Sequence, residues 1–384
     1  MINDNSIIEI IFWAFLLLII YTYFGYGVVL LFLSKLFARP VKKKDIFPNI
    51  TIIIAAYNEE VAIRDKIENT LSLDYPPNRL EIIIGSDAST DRTEQIIKEY
   101  QSHHVKLIRV EGRLGKTGVQ NECVKAATGD ILVFTDATTI LRNDSIRMLV
   151  RNFSDEEVGC VGAKLIYVNP EQTQLGHGGT SYWNYETIIK RLESKINSLI
   201  GVSGCFYALR KELYEPIDRH LISDFVVALH TFKKGFRIVF EENAICEEKT
   251  LENAEEEKAM RIRVALRTYT ALYNERELLN PFKYGLYSFQ LISHKILRYA
   301  ISLFMIGLFI TNILLLDSII YQIIMIGQIT FYLIAIYAHY DYKKRNKKGK
   351  LSFPYYFVLA NLAALIALVR FIKGESVITW EPKR

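Results

Sequence analysis

An α/β domain with a mostly parallel sheet, joined to α-helical membrane segments, is the fold class that three observations predict. Ile10 through Ser34 runs without a charged residue between Glu9 and Lys35. At 1.5 Å rise per residue, that stretch exceeds the roughly 30 Å hydrocarbon core of a bilayer. Three later stretches, Tyr299 to Leu316, Ser318 to Tyr340 and Leu351 to Val369, are also free of Asp, Glu, Lys and Arg. Between these regions, short apolar runs alternate with helical patterns, and polar clusters follow the runs. That alternation implies parallel strands joined by crossover helices.

The N-terminal run has no basic residue before it, and Lys35, Arg39, Lys42, Lys43 and Lys44 follow it. It lacks a signal-peptide cleavage site, so residues 1–40 read as a retained membrane helix with a cytoplasmic basic flank. Residues 41–285 read as the cytoplasmic domain. Ile50–Ala56 is its first strand, a β-branched run of the kind buried on both faces. A helical pattern through Val61, Ile63, Ile67 and Leu71 ends before Pro76-Pro77. Leu80–Gly85 is the second strand, and Asp91 with Glu94 three residues on opens a helix to Tyr100. Val105–Val110 is the third, followed by the loop Glu111–Lys116 and a helix through Ala127. Asp130–Thr135 is the fourth, ending at Asp136.

The net charge of +5 does not point to nucleic acid. Lys343, Lys344, Arg345, Lys347, Lys348 and Lys350 alone exceed that surplus, and they sit between two apolar segments. A bilayer is the expected partner, with this cluster as a positive-inside loop. Residues 286–384 therefore read as a membrane region with spans near 297–317 and 318–340. The segment near 351–371 has two readings, because Asn361 lies within it and Arg370, Lys373, Lys383 and Arg384 follow it. It is either a fourth span or a re-entrant helix that keeps the basic tail cytoplasmic. Cys123, Cys160, Cys205 and Cys246 show no metal-ligand spacing and are expected as reduced thiols.

In open parallel sheets, ligands bind outside the carboxyl ends of the strands. Glu59, Asp87, Lys116 and Asp136 stand at those ends. Ser203-Gly204-Cys205-Phe206-Tyr207-Ala208-Leu209-Arg210 and Ile222-Ser223-Asp224 come later. An apolar span followed by Ala55-Ala56-Tyr57-Asn58-Glu59-Glu60, Ser86-Asp87-Ala88-Ser89-Thr90-Asp91 and Thr135-Asp136-Ala137-Thr138-Thr139, with a closing Thr379-Trp380-Glu381-Pro382, resembles the membrane-bound family 2 glycosyltransferases. Their nucleotide-sugar-binding fold is called GT-A.

The resemblance implies a role for each motif. Ala56, Tyr57 and Glu59 would border the base and ribose of the donor. Asp87 would bond the nucleobase, and Lys116 with Arg113 would lie near base or phosphates. Gly204 would begin the acceptor-side segment. A donor diphosphate needs neutralising, and Mg²⁺ or Mn²⁺ held by one or two carboxylates with phosphate oxygens does this. Asp136 is the expected metal ligand, alone because Thr138 replaces the second acid of the family's D-x-D. Asp224 holds the place of the family's catalytic base, with Ser223 where an acid is frequent. Plainer readings exist for these residues: helix caps for Asp136 and Asp224, an Asx-turn for Asp87, a first-turn carboxylate for Glu59, a loop charge for Lys116 and core packing for Gly204.

An interfacial helix near 258–275 carries Arg263 and Arg267 four residues apart, on one face. Arg267 matches the Arg of the Q-x-x-R-W motif in processive synthases, while Val264 and Thr268 replace its Gln and Trp. Such a pair suits a leaving diphosphate, or else lipid phosphates. The missing Trp predicts short products. The expected activity is inverting transfer of a hexose or N-acetylhexosamine from a UDP-sugar to a lipid-linked or polysaccharide acceptor, at a bacterial or archaeal cell membrane. A processive synthase and a non-catalytic nucleotide-sugar-binding scaffold remain alternatives.

Overall fold

The structure, a computed structural model, describes residues 4–101, 104–168, 174–250, 253–344 and 352–379. The chain begins in apolar helix. α1 (Asp4–Ile20) passes through a single π-turn, Tyr21–Gly25, into α2 (Tyr26–Leu36).

β1 (Ile50–Ala56) is buried at every residue. Its alternate side chains feed two separate cores, Ile52 and Ile54 on one face of the sheet and Ile53 on the other. Both faces being covered is why the strand reads as one unbroken apolar run. α3 (Ile63–Leu71), β2 (Leu80–Ser86), α4 (Thr93–Glu99), β3 (Val105–Arg109), α5 (Gly115–Ala126) and β4 (Ile131–Asp136) complete this half. β1 pairs in parallel with β2 and with β4, and β2 with β3, so these strand ends open on one side. The four strands lie where the sequence pattern predicts them.

The start of α4 differs from expectation. Arg92, not Asp91, holds the N-cap position, and Asp91 one residue earlier accepts from Thr93 N at 3.0 Å. Glu94, however, does not turn back to complete a capping box. It accepts from Ser86 Oγ at 2.7 Å and Arg109 Nη1 at 2.5 Å, because those tertiary donors tie the helix to β2 and β3.

The second half adds β5 (Ile140–Leu141), α6 (Ser145–Val150), β6 (Val158–Val168), α7 (Gln174–Ile196), β7 (Phe206–Arg210), α8 (Ser223–Lys233) and β8 (Arg237–Lys249). The sheet order is β3-β2-β1-β4-β7-β6-β8-β5. β7 runs antiparallel to both neighbours, β6 and β8 are parallel, and β5 is antiparallel to β8. All four cysteines are free thiols.

α9 (Ala254–Asn274) is capped by Asn253, which accepts from Glu255 N at 3.0 Å. Three glutamates occupy its first turn, where the helix dipole favours negative charge. α10 (Pro281–Tyr284), α11 (Leu286–Leu291), α12 (Leu297–Ile313), α13 (Ile319–Lys344) and α14 (Ser352–Ile372) follow. Among the described residues, four helical stretches are long and apolar enough to cross a membrane: Ser6–Leu36, Leu286–Ile313, Ile319–Asp341 and Phe353–Ile372. The second starts well before its apolar run and takes in His294, Lys295 and Arg298. α7 meets two of these polar groups: His294 lies 2.7 Å from Glu193 Oε1 and 3.0 Å from Glu186 Oε1, and Arg298 lies 2.5 Å from Glu186 Oε2, while Lys295 Nζ lies over the Phe225 ring. Residues 345–350 of the basic cluster, and the closing Trp380, Glu381 and Pro382 with Lys383 and Arg384, lie outside the described residues.

One glycine gives a direct test of the central packing. A Cβ on Gly129 would lie 2.5 Å from the Ile50 carbonyl carbon and 2.6 Å from Thr51 N, both backbone atoms of β1. Gly129→Ala should therefore cost about 3 kcal/mol, the upper end of core overpacking. Gly327→Ala meets nothing within 4 Å and should cost nothing. Thermal unfolding of both variants in one detergent checks this, and equal melting temperatures would contradict it.

Candidate functional site

The open strand ends are shaped by local strain and by buried carboxylates. Asn58 after β1 (φ 50°) and Ala88 after β2 (φ 57°) both adopt left-handed backbone, which costs a non-glycine residue roughly 1 kcal/mol. Each turns an adjoining acid, Glu59 or Asp87, at its strand end. Asp87 is fully buried, and it organises the loop after β3. Leu114 N donates to its Oδ1 at 2.6 Å, Gly115 N donates at 3.2 Å, and Arg113 Nε donates to Oδ2 at 3.0 Å. The Arg113 guanidinium also stacks on Tyr57, 3.2 Å from the ring centroid. Gly115 opens α5 with φ +74°, and the backbone of Ile378, from beyond α14, presses against it.

This arrangement delivers Lys116. Its Nζ donates to Asp136 Oδ1, at the end of β4, and to Gly204 O at 3.1 Å. Burial opposes the Lys116 charge, but Asp136 and Asp224 outweigh it and raise the pKa, so the ammonium stays charged. Asp224 stands in the first turn of α8 and accepts from Phe225 N at 2.8 Å. Burial pushes its pKa above the usual carboxylate value, with Lys116 and Lys295 opposing. A Cβ on Gly204 would come within 2.6 Å of Asp224 Oδ2, so only glycine lets that loop lie against the acid.

Two further charged groups surround Asp136. Lys66, on α3, is fully buried and donates to Thr135 Oγ1 at 2.9 Å and Thr139 O at 2.6 Å, straddling the Asp136 loop. Burial lowers its pKa to about 7, against the pull of Asp136. Glu248, on β8, accepts from Cys205 Sγ at 3.0 Å, and burial with nearby Asp136 raises its pKa to about 6.

Lys116, Asp136, Gly204, Cys205, Asp224 and Glu248 face a cavity of ≈ 930 Å³. Of the predicted residues, Glu59, Lys116, Asp136, Gly204, Asp224, Arg263 and Arg267 line it together. Ala56, Tyr57, Asp87 and Arg113 form the neighbouring cluster at the ends of β1 and β2. Arg210 turns away and donates to Val158 O at 2.8 Å and Phe153 O at 2.9 Å. The two arginines of α9 differ. Arg267 Nη2 donates to Thr117 Oγ1 at 2.8 Å, to Arg219 O at 3.2 Å and to Leu221 O. Arg263 makes no hydrogen bond or ion pair among the described residues, and burial lowers its pKa. Thr268 bonds Val264 O within the helix at 2.8 Å.

Sequence reasoning missed Lys66, Glu248 and Lys295. Lys66 had a faint signal, a lone lysine between Ile63 and Ile67 on an apolar helix face. Glu248 and Lys295 had none, since β8 and the early start of the second long apolar helix were not foreseen. Among the described residues, no three His, Cys, Asp or Glu side chains converge to hold a metal. Asp136, with Thr138 beside it on the cavity wall, offers a single carboxylate. Such a donor set fits a hard divalent ion when phosphate oxygens and water complete it.

Residues 51–217 match the family model for glycosyl transferase family 2. The probable glycosyltransferase YdaM of Bacillus subtilis (strain 168) is 28% identical over 208 residues, 50% of this chain and 49% of that protein. Poly-beta-1,6-N-acetyl-D-glucosamine synthase of Staphylococcus epidermidis is 29% identical over 206 residues, 51% of this chain and 49% of that protein. The chain thus spans about half the length of the curated relatives it matches. The mannosyltransferase PcManGT from Pyrobaculum calidifontis, solved in complex with GDP-Man and Mn²⁺, superposes with a TM-score of 0.75 at 19% identity, covering 96% of this chain and 99% of that one. The α/β domain therefore has the GT-A fold.

The unequal arginines predict unequal stability effects. Arg267→Lys cannot reproduce a planar fork reaching several acceptors, and should destabilise the chain by about 1–3 kcal/mol. Arg263→Lys breaks no bond and should leave stability within about 0.5 kcal/mol. Thermal unfolding distinguishes them, and equal losses would contradict the assignment.

Proposed function

We propose that this chain, which carries a family 2 glycosyltransferase domain over residues 51–217, is an inverting glycosyltransferase. It moves a hexose or N-acetylhexosamine from a nucleotide sugar, expected to be a UDP-sugar, to a lipid-linked or glycan acceptor at the cytoplasmic face of a membrane. One observation carries the reading. The Lys116 ammonium holds Asp136 and faces Asp224, and two carboxylates about one cation in a single cavity support a donor role for Asp136 and an acceptor role for Asp224.

The donor end follows from the strand ends. The Tyr57 ring offers a stacking face and Asp87 a hydrogen-bonding carboxylate for a nucleobase, with Ala56 and Glu59 bordering the ribose. Lys116, Arg113 and Arg263 supply positive charge for the diphosphate. Arg267 steadies the Arg219–Leu221 segment that leads into Asp224. A divalent ion, Mg²⁺ or Mn²⁺, held by Asp136 and donor phosphates would neutralise the diphosphate, and the Mn²⁺ in the PcManGT complex supports this.

On the acceptor side, Asp224 takes the proton of the attacking hydroxyl. The acceptor oxygen bonds the anomeric carbon from the face opposite the diphosphate, and the bond to phosphate oxygen breaks with its electron pair on the leaving group. Configuration inverts. Burial makes Asp224 a stronger base than an ordinary aspartate, which suits this role. The basic flank Lys35–Lys44 supports a cytoplasmic domain. Thr268, in place of a stacking Trp on α9, supports short products over a long polymer.

Asp224→Asn should leave the affinity for nucleoside diphosphate intact and lower turnover by roughly 10² to 10⁴. Asp136→Asn should weaken both. Because the ionised form of Asp224 is the base, wild-type turnover should fall with acidification through a pKa above the ordinary aspartate range. Calorimetric titration with UDP and the rate of UDP release measure these. An Asp224→Asn variant that loses affinity in proportion to turnover would refute the assignment.

A further inference from the structure

The cavity does not stop at Asp224. Glu186, Lys190 and Glu193 of α7, with Trp183 one turn earlier, also line it, and the transfer chemistry above uses none of them. Glu186, Lys190 and Glu193 fall on one helix face by their spacing. Glu193 is fully buried, and its Oε1 accepts from Tyr26 Oη at 2.6 Å and meets His294 Nδ1 at 2.7 Å. Its Oε2 has no hydrogen-bond partner among the described residues. Lys190 is 9% exposed, and its Nζ lies over the Trp183 ring, 4.9 Å from the centroid. It makes no hydrogen bond or ion pair among the described residues. One wall thus holds a buried acceptor and a buried donor, both unmet, beside an indole.

That combination selects a ligand class. An ionised phosphate group, which only accepts, would leave the Glu193 Oε2 acceptor unmet, and a hydrocarbon would leave both polar groups unmet. The hydroxyls of a sugar ring donate to a carboxylate and accept from an ammonium, and its C–H face packs on an aromatic ring. We propose that the α7 wall is an acceptor subsite for a neutral saccharide residue, packed on Trp183 and hydrogen-bonded between Lys190 and Glu193. The inference rests on the glycosyltransferase reading and narrows the acceptor to one whose reacting hydroxyl belongs to a sugar. Trp183 then supplies from α7 the aromatic platform that Thr268 cannot supply from α9.

The test uses the full chain in detergent with Mn²⁺. UDP release from UDP-N-acetylglucosamine and UDP-glucose is measured alone, with short oligosaccharides of N-acetylglucosamine or glucose, and with farnesyl phosphate. Binding of UDP and of GDP is titrated calorimetrically in parallel. Oligosaccharide should stimulate release, and Trp183→Ala and Lys190→Met should each raise its KM by about tenfold or more at unchanged nucleotide affinity. Trp183→Phe, which keeps a ring, should fall between. An unchanged KM in both variants would overturn the subsite, as would parallel loss of nucleotide affinity, or stimulation by farnesyl phosphate and by no oligosaccharide. A wild-type chain that binds neither UDP nor GDP would remove the glycosyltransferase reading itself, and the subsite with it.

Discussion

The Lys116 ammonium is the group on which the cavity's architecture depends. Asp136 and Asp224 both look into one partly water-excluded space, where like charges repel more strongly than in bulk water. A cation between them makes that arrangement tolerable. Its position is inherited through a chain of local requirements. Asp87 must collect the Leu114 and Gly115 amides, Gly115 must take a positive φ, and only then does α5 start where Lys116 reaches β4. Lys66 braces the same loop from beneath by gripping Thr135 and Thr139.

Residues of α7, α9 and the long apolar helices are built into the same cavity. α9 contributes Arg263 to its lining and, through Arg267, holds the carbonyl of Leu221 three residues before Asp224. α7 contributes a polar wall, and its glutamates pair with His294 and Arg298 of the second long apolar helix. The strand ends and the helices packed on them therefore share one buried set of charges. A change in how the helices pack would be felt at Asp224.

The legible parts of the fold are those where one physical rule dominates. β1, β2 and β4 are largely buried on both faces and bounded by turns, so their apolar runs stand out and their carboxyl ends locate Glu59, Asp87 and Asp136. β6, β7 and β8 carry mixed sequence, and β7 enters antiparallel between β4 and β6 through long-range pairing that no local pattern announces. At the site, helical spacing correctly put Arg263 and Arg267 on one face, but spacing cannot say that Arg267 would find carbonyls of its own chain. Glu186, Lys190 and Glu193 look like a solvated helix face in sequence. Only the tertiary structure turns them inward toward a cavity.

The central claim is that Asp136 presents a one-carboxylate metal site that a nucleoside diphosphate completes. Calorimetric titration of UDP and GDP into chelator-treated protein, with and without added Mn²⁺, tests it most directly. The account predicts that one of the two nucleotides binds at least about tenfold more tightly with the ion, and that Asp136→Asn abolishes the difference. Equal affinity with and without Mn²⁺ in the wild-type chain would contradict it.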